Sequence, residues 1–334
     1  MKAPKVSIIV PCYNAEGTIT STIDSIKAQL YKDFEVIFID DGSTDNTLDL
    51  IWQCFSGSDI TYRIIAQQNS GVSIARNTGI EASNADYIMF LDADDTYHPT
   101  MIGYLIELIE KFNADTAFCG FTRNVDDLPD MKFDDLGKAT LLDNYKLQEH
   151  LMFRYIPCAM WTFVYKKQIL DEFKIRFTPN IKYSEDEEFT WKYLCHCSSG
   201  VASDMKLYGY YNNPKSAINS VSIRRMDSLK AMQGADEYLE KNNSSFYTVF
   251  HKFIYSRTVW SALRIFSKAG RKDLFETCIS HKEAKKHMIR LLRYPDFSIK
   301  VTALLYILSP SLFFECIKRF CQISKFLHSI RGAD

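Results

Sequence analysis

Nowhere in the 334 residues is there an apolar run both long and unbroken enough to be read as a membrane span. The nearest, Val301–Ile317, is interrupted by Ser309-Pro310-Ser311 and holds Glu315 near its end. Glycine-rich phosphate loops are missing as well. The first apolar segment, Val6–Val10, runs into "PCYNAEG" rather than G-x-G-x-x-G, which argues against a Rossmann dinucleotide site, and there is no P-loop. Cys195-His196-Cys197 has no second Cys/His pair at a structural zinc spacing. Strong net charge is lacking too: the total is −1, which gives no sign of a nucleic-acid partner. No charged-then-apolar leader precedes Val6, and with nine cysteines this points to a reducing, cytoplasmic setting.

What is there is ordinary for a soluble globular chain, 46% apolar and 24% charged. The length allows one large domain or two modest ones. The charge is uneven. From His281 to Asp334 ten Lys/Arg stand against four Asp/Glu, a local +6, so the remainder carries −7.

Continuous apolar runs at Val6–Val10 and Phe34–Ile39 predict strands buried on both faces, hence parallel. Tyr62–Ala66, Tyr87–Leu91 and Thr116–Gly120 read as further strands. Between them, Ile19, Ile23, Ile26 and Leu30 fall at helical spacing, as do Leu48, Ile51, Trp52 and Phe55. Ser73–Ala82 predicts another helix, and Pro99 opens one that turns Ile102, Leu105, Ile106, Ile109 and Phe112 inward. Strand and helix alternating at this pitch give an α/β fold, a mostly parallel sheet flanked by helices. Arg123–Gly137 is acidic and loop-like. Beyond it the expected elements are a strand at Trp161–Tyr165, a helix at Ser184–Leu194 and a strand at Lys206–Tyr211. From about Met226 the pattern is helical throughout, so the expected division is a catalytic domain over 1–220 and a helical C-terminal region over 221–334.

Ligands of such sheets sit beyond the carboxyl ends of the strands. Three of those ends carry polar clusters: Pro11-Cys12-Tyr13-Asn14, Asp40-Asp41-Gly42-Ser43-Thr44-Asp45, and Asp92-Ala93-Asp94-Asp95. Three acids in four positions repel one another unless a cation lies among them. Oxygen-only ligands suit Mg²⁺ or Mn²⁺, with phosphate oxygens and water completing the shell. The plain alternative is a solvated turn that caps the next helix. Gly42 permits a tight turn, and Ser43, Thr44 or Asp45 suits a helix cap, which leaves Asp40 and Asp41 to be explained. After the third strand, Arg76 in "NSGVSIARN" offers a planar fork for a diphosphate or a base, against the alternative of a surface ion pair.

"VSIIVPCYNAEGTI", "FIDDGSTDNT", "NSGVSIARNTGI" and "FLDADD", in this order, resemble the family-two glycosyltransferases of the GT-A fold. The likeness is close over residues 4–125 and looser over 155–220. It implies that Pro11 and Tyr13 border a nucleotide base, with Asn14 beside them. It further implies that Asp41 holds the base, usually uracil, that Asn69 and Arg76 support the nucleotide, and that Asp92 touches ribose or base. By the same resemblance Asp94, with Asp95 next to it, binds the divalent ion (Mn²⁺ or Mg²⁺) that bridges the diphosphate.

In "KYSEDEEFTW", Ser184-x-x-Glu187 reads as a capping box, and acids in a first helical turn complement the macrodipole. The resemblance adds a catalytic reading of Glu185-Asp186, with Asp186 as the base. An Asp at a helix N-terminus is expected to stay ionised at neutral pH. Two segments depart from the family pattern. "YYNNPKSAIN" has Asn212 where an arginine is usual, followed by Lys215 and Ser216, and "MWTFVYKK" has Thr162 where asparagine is common.

The expected activity is inverting, metal-dependent transfer from a UDP-sugar to a hydroxyl of a saccharide or lipid-linked saccharide, in bacterial surface polysaccharide or glycolipid synthesis. The rivals are a nucleotidyltransferase and a catalytically silent nucleotide-binding scaffold. The basic, aromatic C-terminal helices (Lys318, Arg319, Phe320, Lys325, Phe326, Leu327) suggest a packed helical hairpin, a homodimer contact or peripheral attachment to an anionic membrane.

Overall fold

A computed structural model describes residues 3–123, 139–153, 155–156, 158–211, 222–242 and 244–331, with side chains as far as Gln322. Asn212, Lys215, Ser216, the segment 124–137 and the side chains of Lys325, Phe326 and Leu327 lie outside the described residues. The chain divides into two compact units, Met1–Asn180 with Glu185–Ser216, and Ile181–Ser184 with Ala217–Asp334.

The first unit opens with β1 (Val6–Cys12), α1 (Ile19–Lys27), β2 (Phe34–Asp40), α2 (Thr47–Phe55), β3 (Thr61–Ala66), α3 (Val72–Ala82) and β4 (Tyr87–Phe90). There follow β5 (Thr96–Tyr97), α4 (Met101–Phe112), β6 (Thr116–Thr122), β7 (Ala139–Asp143) and α5 (Asn144–Phe153). The unit closes with β8 (Phe163–Lys166), α6 (Lys167–Glu172), α7 (Glu185–Leu194) and β9 (Ser199–Gly209). One sheet runs in the order β3-β2-β1-β4-β8-β6-β9-β5, with β7 paired to β9. The expected mostly parallel α/β sheet is what the chain forms. β3, β2, β1 and β4 are parallel, as are β6 and β9, and antiparallel pairing enters at β8, β5 and β7.

The apolar runs are explained by position in this order. β1 and β2 are flanked on both sides, and Val6, Ile8, Ile9, Val36, Ile37 and Phe38 have no exposed surface. β3 is an edge strand and is only partly covered, so Trp52 stays 56% exposed and rests edge-on against Tyr62 at 6.0 Å. Leu30 fits the helical stripe of α1 in sequence, but the helix stops at Lys27 and Leu30 points to solvent. Met160–Thr162 makes a single 3₁₀ turn before β8, so that strand starts at Phe163 rather than Trp161. β9 begins at Ser199 rather than Lys206, because its small residues "SGVAS" carry no alternation. His196 of the cysteine-rich fragment stacks on Phe173 at 3.6 Å, and among the described residues no three His, Cys, Asp or Glu side chains gather into a metal site.

The second unit is helical: α8 (Asp227–Lys241), α9 (Tyr247–Val249), a π turn at Phe250–Ile254, α10 (Tyr255–Lys268) and α11 (Lys272–Thr277), then α12 (His281–Leu291), α13 (Phe297–Leu308) and α14 (Pro310–Arg331). α10 is its spine. Val259, Leu263 and Phe266 are fully buried, and α8, α11, α12 and α14 all pack on it. Side-chain caps mark the starts of α12, α13 and α14: Ser280 accepts from Glu283 N at 3.3 Å, Asp296 from Ile299 N at 3.0 Å and Ser309 from Leu312 N at 3.3 Å.

α3 lies hard against β1. A Cβ on Gly79 would come within 2.4 Å of Ile9 Cγ2, so only glycine allows this approach. Gly79→Val is expected to lower stability by about 1–3 kcal/mol through overpacking. The check is urea unfolding, and an unchanged midpoint contradicts the close contact.

Candidate active site

The loops that leave β1, β2 and β3 are knitted together by side chains that bond to backbone. Asn14, at φ 50, donates its N–H to Ser43 Oγ at 3.0 Å and accepts from Thr44 N at 2.9 Å. Asp45 Oδ2 accepts from Glu16 N at 3.1 Å, while its Oδ1 accepts from Thr47 N at 3.0 Å. Of the three capping candidates, then, Asp45 serves the start of α2. Asp41 is buried. It accepts from Gln67 Nε2, Ser70 N and Gly71 N, each at 2.8 Å, and so fixes the loop that leads into α3. Asn69 sits on that loop and is exposed.

The Asp92–Asp95 turn is held from α1. Thr18 Oγ1 donates to Ala93 O and Thr22 Oγ1 to Asp95 O, both at 2.9 Å. The turn handles its three acids separately. Asp95 is 1% exposed and faces away from solvent, accepting from Tyr208 OH at 2.6 Å and Tyr211 N at 2.7 Å. Burial and the charge of Asp92 push its pKa up, to about 8. Asp92 takes a guanidinium, with Arg76 Nη2 at 2.8 Å. Asp94 lines an open cleft of about 270 Å³, walled by Pro11, Tyr13, Asn14, Thr18, Arg76 and Asp92 among others. Tyr13 stands 54% exposed at this cleft. The structure therefore brings Pro11, Tyr13, Asn14, Arg76, Asp92 and Asp94 together. Asp41 and Asn69 belong to the adjoining loops, and both carboxylate oxygens of Asp95 are spent on holding the chain.

Arg76 is not a surface residue. It is 4% exposed and bridges Asp92 to Glu185, whose Oε1 lies 3.2 Å from Nη1. Its Cζ sits 5.3 Å from the Phe177 ring, which stacks in turn on Phe189 at 4.0 Å. Asn77, one residue on, clamps the Phe177 backbone with two reciprocal bonds of 2.8 and 2.9 Å. The neighbouring acids raise the Arg76 pKa further, despite its burial.

Asp186 follows Glu185 in the first turn of α7, with Glu187 and Glu188 behind it. Burial, then the charges of Glu185 and Glu187, push its pKa up to about 7, and Arg76 opposes them. Sequence reasoning expected a fully ionised Asp186 from the helix dipole. Burial, helped by the charges of Glu185 and Glu187, outweighs a dipole effect worth ~0.3–1 kcal/mol per charge. Ser184, before the helix, has a left-handed φ of 64.

The family profile described as "Glycosyl transferase family 2" matches residues 7–173. The chain belongs to that family. The uncharacterized glycosyltransferase EpsJ of Bacillus subtilis (strain 168) is 31% identical over 242 residues, 71% of this chain and 67% of that protein. The poly(ribitol-phosphate) beta-N-acetylglucosaminyltransferase TarP of Staphylococcus aureus (strain N315) is 30% identical over 233 residues, 66% of this chain and 67% of its own length. The S. aureus TarS fragment 1–349, solved with UDP-GlcNAc, superposes with a TM-score of 0.64 at 19% identity, covering 97% of this chain and 92% of that one. This likeness shows the GT-A fold. The family-two chain is thus a glycosyltransferase, related to enzymes of cell-wall polymers, and the nucleotidyltransferase reading gives way.

Sequence reasoning did not foresee the supports of this family-two site. Phe177, Tyr208 and Tyr211 lie far in sequence from the residues they brace; Asn77 falls inside a quoted motif beside Arg76, and Tyr211 inside "YYNNPKSAIN". An asparagine within an apolar helix stripe was the one available signal.

Arg76→Met leaves two acids without their partner. It is expected to cost about 3–5 kcal/mol of stability, the range for breaking a buried pair. Chemical denaturation measures this, and a loss below about 1 kcal/mol would show the bridge to be incidental.

Proposed function

We propose that this glycosyltransferase is inverting and metal-dependent and moves a sugar, a hexose or an N-acetylhexosamine, from a UDP-sugar to a hydroxyl. The acceptor in this reading is a saccharide or lipid-linked saccharide of a bacterial surface polymer. The single observation that carries the reading is Arg76, which joins the nucleotide-side Asp92 to the Glu185-Asp186 pair at the wall of one cleft. The TarS fragment, with its UDP-GlcNAc, supports the donor class, and TarP, by its name, supports an N-acetylhexosamine as the sugar.

Pro11 and Tyr13 border the base, Asp41 holds it through the loop it organises, and Asn14, Asn69 and Arg76 shape the nucleotide pocket. Asp92 meets the ribose or the base. A hard divalent ion, Mn²⁺ or Mg²⁺, fits the oxygen-only donor Asp94. Among the described residues there are too few carboxylates for a cage, so Asp94 would hold the ion together with oxygens of the donor and of water. When bound, such an ion neutralises charge that develops on the leaving diphosphate. Asp95 serves that ligand indirectly, by fixing the turn to Tyr208 and Tyr211.

Asp186 takes the proton of the attacking hydroxyl. One carboxylate base and a direct displacement invert the anomeric centre, whereas a two-carboxylate hydrolase needs opposed acids. A base raised to about 7 is stronger than an ordinary aspartate, and at pH 6 only about a tenth of it is ionised. Glu185 holds Arg76 and keeps Asp186 basic by its charge.

Four outcomes are expected. In a panel of UDP-, GDP- and TDP-sugars, nucleotide release is fastest with a UDP-sugar and needs Mn²⁺ or Mg²⁺. Asp186→Asn abolishes transfer but keeps UDP binding; near-normal turnover would remove Asp186 from the base role. Asp94→Ala loses the Mn²⁺-dependent part of UDP affinity, read by calorimetry, and an unchanged titration contradicts its role. The working form of Asp186 is the deprotonated one, so kcat/KM for the acceptor should climb from pH 5 to 8 with its midpoint near 7. A profile flat over that interval counts against it.

A further inference from the structure

Helix α13 is apolar on both sides. Ile299, Ala303 and Tyr306 face the second unit's core. Opposite them Phe297, Val301, Leu304 and Leu308 recur at four-, three- and four-residue steps and are 77%, 42%, 48% and 69% exposed. Leu312 and Phe320 of α14 are exposed as well, the latter by 74%. A monomer in water gains nothing from such a stripe. Beside it lies a groove of about 510 Å³, lined by Trp260, Val301, Leu305 and Ile317 among others. Arg264 and Lys268 of α10 also line it. Arg264 lies over the Trp260 ring at 5.0 Å and leaves its buried Nε without a hydrogen-bond partner. Lys318 and Arg319 follow on α14. Among the described residues Arg264, Lys268 and Lys318 form no ion pair, and Arg319 meets Glu315 at 3.9 Å. The face is apolar at its centre and positive at its rim.

We propose that this face of the second unit docks on a bilayer surface rich in anionic lipid, the exposed stripe entering the acyl boundary and the rim cations meeting lipid phosphates. Charge decides for lipid over a second copy of the chain. A two-fold pairing lays the same patch on itself and sets positive rims against each other. An anionic headgroup layer satisfies them. No helix among the described residues is long and apolar enough to cross a membrane, so the attachment lies in the interface. The proposal is independent of the sugar donor.

The test is flotation of the full chain with vesicles of phosphatidylcholine alone, or with about 30% phosphatidylglycerol. The wild type is expected to float with the anionic vesicles only, and to be released by high salt. Leu304→Glu with Leu308→Glu should weaken partition about tenfold or more, with unchanged circular dichroism and unchanged UDP binding. The charge reversal Lys268→Glu with Arg319→Glu changes no buried side chain and should abolish the preference for phosphatidylglycerol. Wild-type protein that stays with neither vesicle, that floats equally with both, or that floats undiminished in the variants overturns the proposal. A dimer by light scattering that the leucine variant dissociates, without vesicle binding, assigns the face to a second copy instead.

Discussion

A guanidinium with almost no access to water organises this glycosyltransferase. Removed from solvent, Arg76 needs negative partners at short range, and it finds one after β4 and one at the head of α7. Those two acids in turn are tolerable near Asp94, Asp95 and Asp186 only because a fixed positive charge stands between them. The bridge ties the parallel part of the sheet to α7. The aromatic stack of Phe177 and Phe189 gives it a dry floor, where each charge interaction is stronger than at the surface. Crowded carboxylates raise the question of a cation, and the fold supplies part of that cation itself.

The same crowding sets the chemistry of α7. Acids at a helix N-terminus ordinarily gain from the backbone dipole, and Asp186 would then be a weak base. Burial reverses that tendency, and the like charges of Glu185 and Glu187 add to it. Arg76 restrains the shift, so the pair Arg76–Glu185 tunes the carboxylate as well as placing it. Asp95 shows the other use of a raised pKa. Kept from water and bonded to a phenol, it acts as an internal strut.

The parallel strands and the motif clusters at their tips were legible in the sequence, because burial on both faces leaves unbroken apolar runs and because strand ends are where ligands gather. Elements without such a record were harder. β9 starts in small residues with no alternation, the end of α1 is set by its C-cap rather than by the stripe that includes Leu30, and antiparallel pairing at β8 is a matter of topology. Within the candidate site, residue identity marked out the polar side chains, but not which way they point. Asp94 and Asp95 are neighbours of identical type, one facing the cleft and the other the interior. Only the positions of Tyr208 and Tyr211, more than a hundred residues away, separate them. The ionisation of Asp186 was hidden for a similar reason, since it depends on depth and on Arg76.

The knitted loops after β1, β2 and β3 have an evolutionary corollary. Each side chain there serves another loop's backbone, so a change at Asn14, Asp41 or Asp45 disturbs segments that did not mutate. Such mutual dependence discourages drift. New specificities within a lineage built this way should therefore arise elsewhere, in segments whose bonds are local and whose alteration leaves the rest of the molecule untroubled.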